Sequence, residues 1–445
     1  MTFVTTLLLG LIYLNVPAVA VREFGVPFAV GALIPMLLVV PVLHRVLIKG
    51  EPLRFPLFLV LALLLLVLHA LSALGGIRPH ESLAIVIDWA LEGVLLAALI
   101  VNVLRSKDDV IAAVKALVLA GFVMGTVVII QQLAGATDNN FMGFGQLDSA
   151  MVSDSGQLQT RLAGPIGETN RFAQIMAVLI PLAAALALIS TGATRWFYWL
   201  ATLVISGGMA LAFSRGAVVA LALAAPFALA FRFIAFRHVV LGVCGAIVLL
   251  ALLPHYAERV VSIGQVAVQS LGLSPGGLRN ADGAARGRMT EMMAAGLVFV
   301  DHPILGAGPG MAQVHYPKYA AKVGGKVRPG TRRSHNLFLQ LAAETGVLGL
   351  AAFFAVLGVV VLGLERARRQ HFKRDREMWA IICGLELALI ISLTTSLFLH
   401  AAYVRYFWLL LGLCVAASAV SSIPVLVRLL SRMLGETMVR LRPQT

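Results

Sequence analysis

Charge is scarce in this chain of 445 residues, of which 13% are Asp, Glu, Lys or Arg, against roughly 25% in a soluble domain. A water-soluble globule, which needs ionised groups over most of its surface, is excluded. Cysteine is scarcer: Cys244, Cys383 and Cys414 are the whole complement. All three fall inside apolar runs at no metal-ligand spacing, so neither a disulfide framework nor a structural zinc site is expected, and they read as packing residues. Transporter-type internal repeats and low-complexity tracts are missing. The first apolar run has no small-residue cleavage site and reads as a retained signal-anchor helix.

What is present is hydrophobicity. Apolar residues make up 60% of the chain, and runs near or above the roughly 20 residues that cross a bilayer recur about twelve times. They begin near residues 2, 28, 55, 82, 109, 171, 196, 217, 238, 337, 378 and 403. The expected fold is all-α: a polytopic integral membrane protein of about 12 transmembrane helices. The segment ERARRQHFKRDRE at 365–377 is the densest short basic loop, and the positive-inside rule places it in the cytoplasm. Counting outward, the basic breaks at 44–54, 105–115, 191–195 and 232–238 and the C-terminal tail fall on the same side. Two longer segments then lie on the far side, at 135–170 and about 255–334. The organisation expected is residues 1–254 for helices 1–9, 255–334 for a large helical loop between helices 9 and 10, and 335–445 for helices 10–12 and the tail. In the large loop the pattern predicts an amphipathic helix at about 256–271, a second one capped by Asp282 and running to about Val300, and then turns in DHPILGAGPG at 301–310.

The formal net charge is +14, but the basic residues flank membrane spans, which points to lipid headgroups and lipid phosphates rather than nucleic acid. The large loop is itself basic. A loop that long crosses the membrane regardless of charge, so its charge needs another explanation.

The stretch RRSHNLFLQLAAETG at 332–346 concentrates polar groups where a membrane helix begins. Ser334 is a plausible N-cap, which puts His335 in the first turn. The helix dipole with Arg332 and Arg333 then disfavours the imidazolium, leaving the neutral ring that a general base requires. Gly346, eleven residues on, shares the face of His335 about 16 Å along the axis and lets a neighbouring helix approach. Asn336, Gln340 and Glu344 form an adjacent polar stripe. The same spacing suits an interfacial helix whose polar residues touch headgroups.

Further candidates lie elsewhere. Arg215, in FSRGA, closes the seventh span at its far-side end, and Arg288 lies on the second loop helix. Either alone suits a snorkelling arginine; converging beside a neutral histidine they suit a diphosphate, whose oxygens guanidinium groups bind in pairs. GPIGETNRFAQ at 164–174 supplies Asn170 and Arg171, for a sugar or phosphate or as a helix cap. Asp88 and Glu92, one turn apart inside the fourth span, are intramembrane carboxylates, expected to pair with an arginine such as Arg215 or to relay protons. The far-side loops hold no paired-aspartate motif and no histidine cluster at ligand spacing. A metal-dependent glycosyltransferase is therefore disfavoured; no metal and no cofactor are expected.

HNLFLQLAAETGVLGL at 335–350 resembles the signature of the O-antigen ligase and polymerase superfamily, a His-Asn followed after ten residues by Gly. GPIGETN, FSRGA, the Arg288 helix and DHPILGAGPG stand in the order shown by that family, within a twelve-span plan with one large loop. The apolar residue four places after each arginine is Val219 or Met292 here, where the family often has Leu. The resemblance implies transfer of a glycan from an undecaprenyl diphosphate carrier at the periplasmic face of a Gram-negative inner membrane, for the ligase to a sugar hydroxyl of lipid A core. In that reading Arg215 and Arg288 neutralise the diphosphate leaving group. His335 orients or deprotonates the acceptor hydroxyl for an inverting displacement. Asn336, Asn170, Arg171, Arg332, Arg333, Lys318 and Lys322 bind substrate, with Lys326 and Arg328 beside them, and Asp88, Glu92 and Gly346 support the site. A polymerase joining lipid-linked repeat units would use the same residues. A protein O-oligosaccharyltransferase fits less well with the short tail, and a lipid-linked glycan flippase would instead use Asp88, Glu92, Glu386 and His69 as a polar relay.

Overall fold

The computed structural model describes residues 2–27, 31, 34–136, 139–152, 158–240, 242, 244–245, 283–323, 330–400 and 402–421. The expected loop helix at 256–271, the Asp282 cap, Lys326, Arg328, the basic tail and most of the span expected from residue 238 lie outside them. In chain order the helices are α1 (Thr2–Tyr13), α2 (Val16–Phe24), α3 (Ile34–Ile48), α4 (Leu57–Leu74), α5 (Pro79–Val103), α6 (Lys107–Leu133), α7 (Thr169–Ile189), α8 (Gly192–Leu211), α9 (Arg215–Ala230), α10 (Gly283–Asp301), α11 (Ala312–Val323), α12 (Leu337–His371), α13 (Arg376–Thr395) and α14 (Arg405–Ser421).

Among the described residues six helices are long and apolar enough to cross a membrane, or seven if α1 and α2 count as one bent span. This is a multi-pass membrane protein; among the described residues the spans number fewer than twelve, and those expected from residues 28 and 238 lie partly outside them. One reason is local. Asn15 takes a left-handed backbone (φ 64°), Pro17 stands at the start of α2, and the pair bends by 56°, so one apolar run becomes two short helices. α3, α9 and α14 are apolar but shorter than a full span. The all-α expectation also needs correction, because the far-side segment before α7 folds into an antiparallel hairpin, β1 (Gln146–Val152) with β2 (Leu158–Gly164).

The bundle turns around α7 and α13, which pack on each other and are the most enclosed spans. Small residues let the backbones close up: a Cβ on Gly125 of α6 would stand 2.7 Å from the Val204 carbonyl of α8, and one on Gly384 of α13 would stand 3.0 Å from the Pro181 carbonyl of α7. Such close approach is what holds membrane helices together when lipid is as apolar as their side chains. Cys383 and Cys414 are buried in this core, as packing residues should be. Leu63, Leu64, Val67, Leu203, Phe354, Val361 and Leu362 point outward and exposed, which suits a lipid-facing belt.

The two ends of the bundle differ. At one end Ser106 and Asp109 form a capping box that starts α6, Arg45 bridges Glu51 and Asp109, and Lys107 meets Asp375 at 2.8 Å. This is the end expected to face the cytoplasm. At the opposite end lie the starts of α7 and α12, the end of α13 and a small helical unit. There α10 and α11 pack through Ala294, Val298, Met311, Tyr316 and Tyr319, which form a second core with Ala343 of α12.

Candidate functional site

Three elements are tied together at that end. The Leu337 amide donates to the Ser396 carbonyl (2.8 Å) and the Asn336 side chain donates to the Leu397 carbonyl (3.1 Å), stitching the start of α12 to the end of α13. From α7, Gln174 Nε2 donates to Thr395 Oγ1 at 2.7 Å and Ser396 Oγ at 3.1 Å. Between α13 and α14 the chain then crosses the site carrying His400 and Tyr403.

The start of α12 differs from the expectation. Its N-cap is Asn336, whose side-chain oxygen accepts from the Leu339 amide at 2.9 Å, not Ser334. His335 therefore precedes the helix, with a left-handed backbone (φ 47°), and is not in its first turn. Both ends of the Asn336 amide are engaged by the fold. Arginines are also not the whole environment of His335. Its Nε2 lies 3.7 Å from a carboxylate oxygen of Glu291, a buried residue of α10, and its ring meets His400 edge-on at 5.5 Å. Glu291 was invisible from sequence because it lies 44 positions away in a loop helix read only for Arg288. Arg288 stands one turn before it on the same helix.

Gly346 does not continue one helical face from His335. The backbone breaks there (φ 65°, ψ −165°), a conformation essentially reserved for glycine. The break frees backbone groups, and the turn at 301–310 takes them: the amides of Ala307 and Gly308 donate to the carbonyls of Ala343 and Glu344, and the amides of Val347 and Leu348 donate to those of Pro303 and Ile304. A Cβ on Gly346 would sit 2.2 Å from the Ile304 carbonyl oxygen, and one on Gly306 would sit 2.3 Å from the Glu344 carbonyl carbon. The glycine thus admits a turn, where sequence suggested a neighbouring helix, and DHPILGAGPG is the strap that fills the break.

Beside this strap is a cavity of about 420 Å³. Asp88, Trp89 and Glu92 of α5, Arg171 of α7, Arg333, Gln340 and Glu344 around the start of α12, His400, Tyr403, Arg405 and Tyr406 are among its lining residues. Glu344 is buried and accepts from the Tyr403 hydroxyl at 2.6 Å. Glu92 pairs with Arg405 at 3.5 Å, so its partner comes from α14 and not from Arg215 as expected. Arg171 and Arg333 both donate to His400 Nε2, at 2.9 and 2.7 Å. Burial first, then those two arginines and His335, push the His400 imidazole down to about 2. The neutral ring sought at His335 is thus evident at His400, a residue sequence reasoning passed over as one polar residue in an apolar run.

Of the other candidates, Arg215, Arg288, His335, Asn170 and Asn336 are not among the residues that line the cavity. Arg215 opens α9 after a left-handed Phe213 (φ 52°); it does not close the preceding helix. The turn before it is held by Arg161 of the hairpin, whose Nη2 donates to the Ala212 carbonyl (2.9 Å) and to Asn170 Oδ1 (3.4 Å). Asn170 and Arg171 are the second and third residues of α7. Lys318 and Lys322 lie over the Tyr319 ring at 5.4 and 5.0 Å, and Tyr319 donates to Asp301 at 2.6 Å, holding that carboxyl below its usual range. These lysines and the exposed Arg332 are not among the lining residues of the cavity. His69 and Glu386 are engaged separately, His69 Nδ1 with the Leu65 carbonyl and Glu386 with Arg368 at 2.8 Å, which gives no connected relay with Asp88 and Glu92.

Residues 200–354 match the family model described as O-antigen ligase. The match spans Arg215, Arg288, Glu291, His335 and the break at Gly346, and it bears out the resemblance to the ligase and polymerase superfamily. No curated protein matches the chain.

Proposed function

We propose that this chain, which carries the domain of the O-antigen ligase and polymerase superfamily, is a glycosyltransferase of the bacterial inner membrane. It moves O-antigen glycan from undecaprenyl diphosphate to a sugar hydroxyl of lipid A core on the periplasmic side. The observation that carries the reading is the polar end of an otherwise apolar bundle: a cavity lined by arginines and carboxyl groups, and beside it, through the His335–His400 ring contact, the His335–Glu291 pair. At 3.7 Å the Glu291 carboxylate makes no hydrogen bond to the His335 ring, but its charge stabilises the imidazolium formed when the ring takes a proton. His335 accordingly receives the acceptor hydroxyl proton, and the oxygen attacks the anomeric carbon with inversion. Arg215 and Arg288 neutralise the departing diphosphate, a role for which positioned cations suffice without a metal.

The test supplies purified full-length protein with undecaprenyl-diphosphate glycan, with and without lipid A core, in a chelator. Glycan on the lipid A core supports the ligase. A ladder formed without acceptor assigns the polymerase reaction instead, and no covalent product with either overturns the enzyme reading. Full activity in His335→Ala removes the base role. Loss of activity in Arg215→Lys supports paired hydrogen bonding to phosphate over charge alone.

A further inference from the structure

The contacts of His400 bear on the acceptor. Guanidinium nitrogens only donate, so His400 Nε2 must be the acceptor of both bonds and the proton must sit on Nδ1, which is buried with no hydrogen-bond partner among the described residues. One neutral ring therefore draws two full positive charges to a single lone pair, within about two hydrogen-bond lengths of each other. Arg171 is offset by Glu168 at 2.9 Å, and Arg405 by Glu92. Arg333 has no carboxylate partner within ion-pair distance among the described residues; its Nε donates to the neutral Gln313 amide at 3.3 Å. The cavity around His400, of about 420 Å³, a size at which small-molecule pockets occur, sets Arg171, Arg333 and Arg405 against the carboxyl groups of Asp88, Glu92 and Glu344, and of the three arginines Arg333 is the one with no carboxylate at ion-pair distance among the described residues. Trp89, Tyr403 and Tyr406 supply aromatic surface on the same cavity.

We propose that Arg171 and Arg333, held together by His400, form a subsite for a phosphoryl group on a sugar of the acceptor, distinct from the arginines assigned to the donor diphosphate. The proposal rests on the glycosyl-transfer reading and narrows it. Of the basic residues expected to bind substrate, Arg332, Lys318 and Lys322 stand outside the cavity, and Arg171 and Arg333 line it. A phosphoryl group suits the pair because its several oxygens accept from two guanidinium forks and its charge balances that of Arg333. His400 acts through the arginines and is a positioning residue.

The experiment measures binding without donor, so its result does not depend on whether transfer occurs. Full-length protein in phosphatidylcholine nanodiscs is titrated with soluble core oligosaccharide released from O-antigen-free lipopolysaccharide, its phosphates either intact or chemically removed. Arg171→Gln and Arg333→Gln are expected to weaken binding of the phosphorylated probe about 10-fold or more each, the usual scale for a lost charge-assisted bond. Binding of the dephosphorylated probe should be weak and unchanged by either substitution. His400→Leu should resemble the arginine variants, whereas His400→Gln, which keeps an acceptor, should restore most of the binding. Arg195→Gln, at the other end of the bundle, serves as the unaffected control. Equal binding of the two probes by wild type, or wild-type affinity in Arg333→Gln, overturns the proposal. Competition by added phosphatidylglycerol that is lost in Arg333→Gln would give the phosphoryl site to lipid headgroups and overturn the acceptor assignment. If His400→Leu does not fold, the arginine variants decide the matter. Absence of transfer in the donor assay would overturn the functional reading while leaving this binding result intact.

Discussion

His400 gives the fold a pH dependence whose sign and size can be worked out. Folded, its imidazole is held at about 2 by burial and by Arg171, Arg333 and His335; unfolded, it titrates at about 6.5. Between those values the unfolded chain binds a proton that the folded chain does not, so stability rises with pH and is lost as pH falls below about 6.5. From pH 7.5 to pH 5.5 the loss from this one residue is about 1.4 kcal/mol, set almost wholly by the unfolded-state value because the folded ring stays neutral throughout. Glu168 on Arg171 and Glu291 beside His335 also face the cluster, so the measurement must isolate His400. Thermal unfolding of wild type and His400→Gln in the same detergent, at pH 7.5 and 5.5, does so by difference, because glutamine keeps an acceptor for the arginines and does not titrate. Wild type should lose about 1.4 kcal/mol more than the variant on acidification. Parallel curves for the two proteins would refute the neutral, doubly bonded imidazole.

Other outcomes follow from single contacts. Gly346→Ala must place a Cβ 2.2 Å from the Ile304 oxygen in a glycine-only conformation. It should cost about 3 kcal/mol of stability in thermal or denaturant unfolding, whereas Gly358→Ala, a helical position with nothing within 4 Å, should be neutral or stabilise slightly. Tyr403→Phe strips the short bond to the buried Glu344 carboxylate and should cost about 1.5–3 kcal/mol, read in the same assay. At the opposite end Asp375 both caps α13, accepting from the Glu377 and Met378 amides at 3.1 Å, and pairs with Lys107. Asp375→Asn keeps the cap and should cost under about 1 kcal/mol, Asp375→Ala about 1 kcal/mol more, and neither should change transfer activity.

The apolar runs made the membrane helices legible, since hydropathy over a span-length window responds to little else. The helix carrying Arg288, the turns of DHPILGAGPG and the clustering of polar groups at one end were readable for similar local reasons. What failed was nonlocal. Ser334 and Asn336 are both good caps by type, and the choice fell to Asn336 because the end of α13 offers it the Leu397 carbonyl. Gly346 read as a helix contact because a glycine in an apolar run does not announce that a strap 40 residues earlier will enter beside it. His400 and Glu291 escaped notice because each is a single polar residue whose meaning lies in partners from other elements. The hairpin was missed because the far-side segment was read only as a connection.

Interruptions of membrane helices are costly unless the freed backbone is satisfied inside the protein, so they persist where they line a cavity. Two breaks obey that rule here. One is at Gly346, where the Glu344 carbonyl accepts from Ser72 Oγ (2.6 Å) and the Gly308 amide (3.1 Å). The other is the π-helical turn Ala90–Leu95 within α5, which contains Glu92 and follows Asp88, both lining the cavity. A π turn is an α-helix with one residue too many. Deleting Leu91, an exposed apolar residue of that turn, should restore α-helical register while removing no cavity side chain. Asp88 and Glu92 then stand three residues apart, still on one face but about 1.5 Å closer along the axis, so the deletion removes the widened turn that sets Glu92 against Arg405 without removing either carboxylate. The variant should still insert and express at the membrane, because the span loses one residue of 25, yet lose binding of the acceptor oligosaccharide and transfer together. Retention of both in the deletion variant would show that the π turn is incidental to the site.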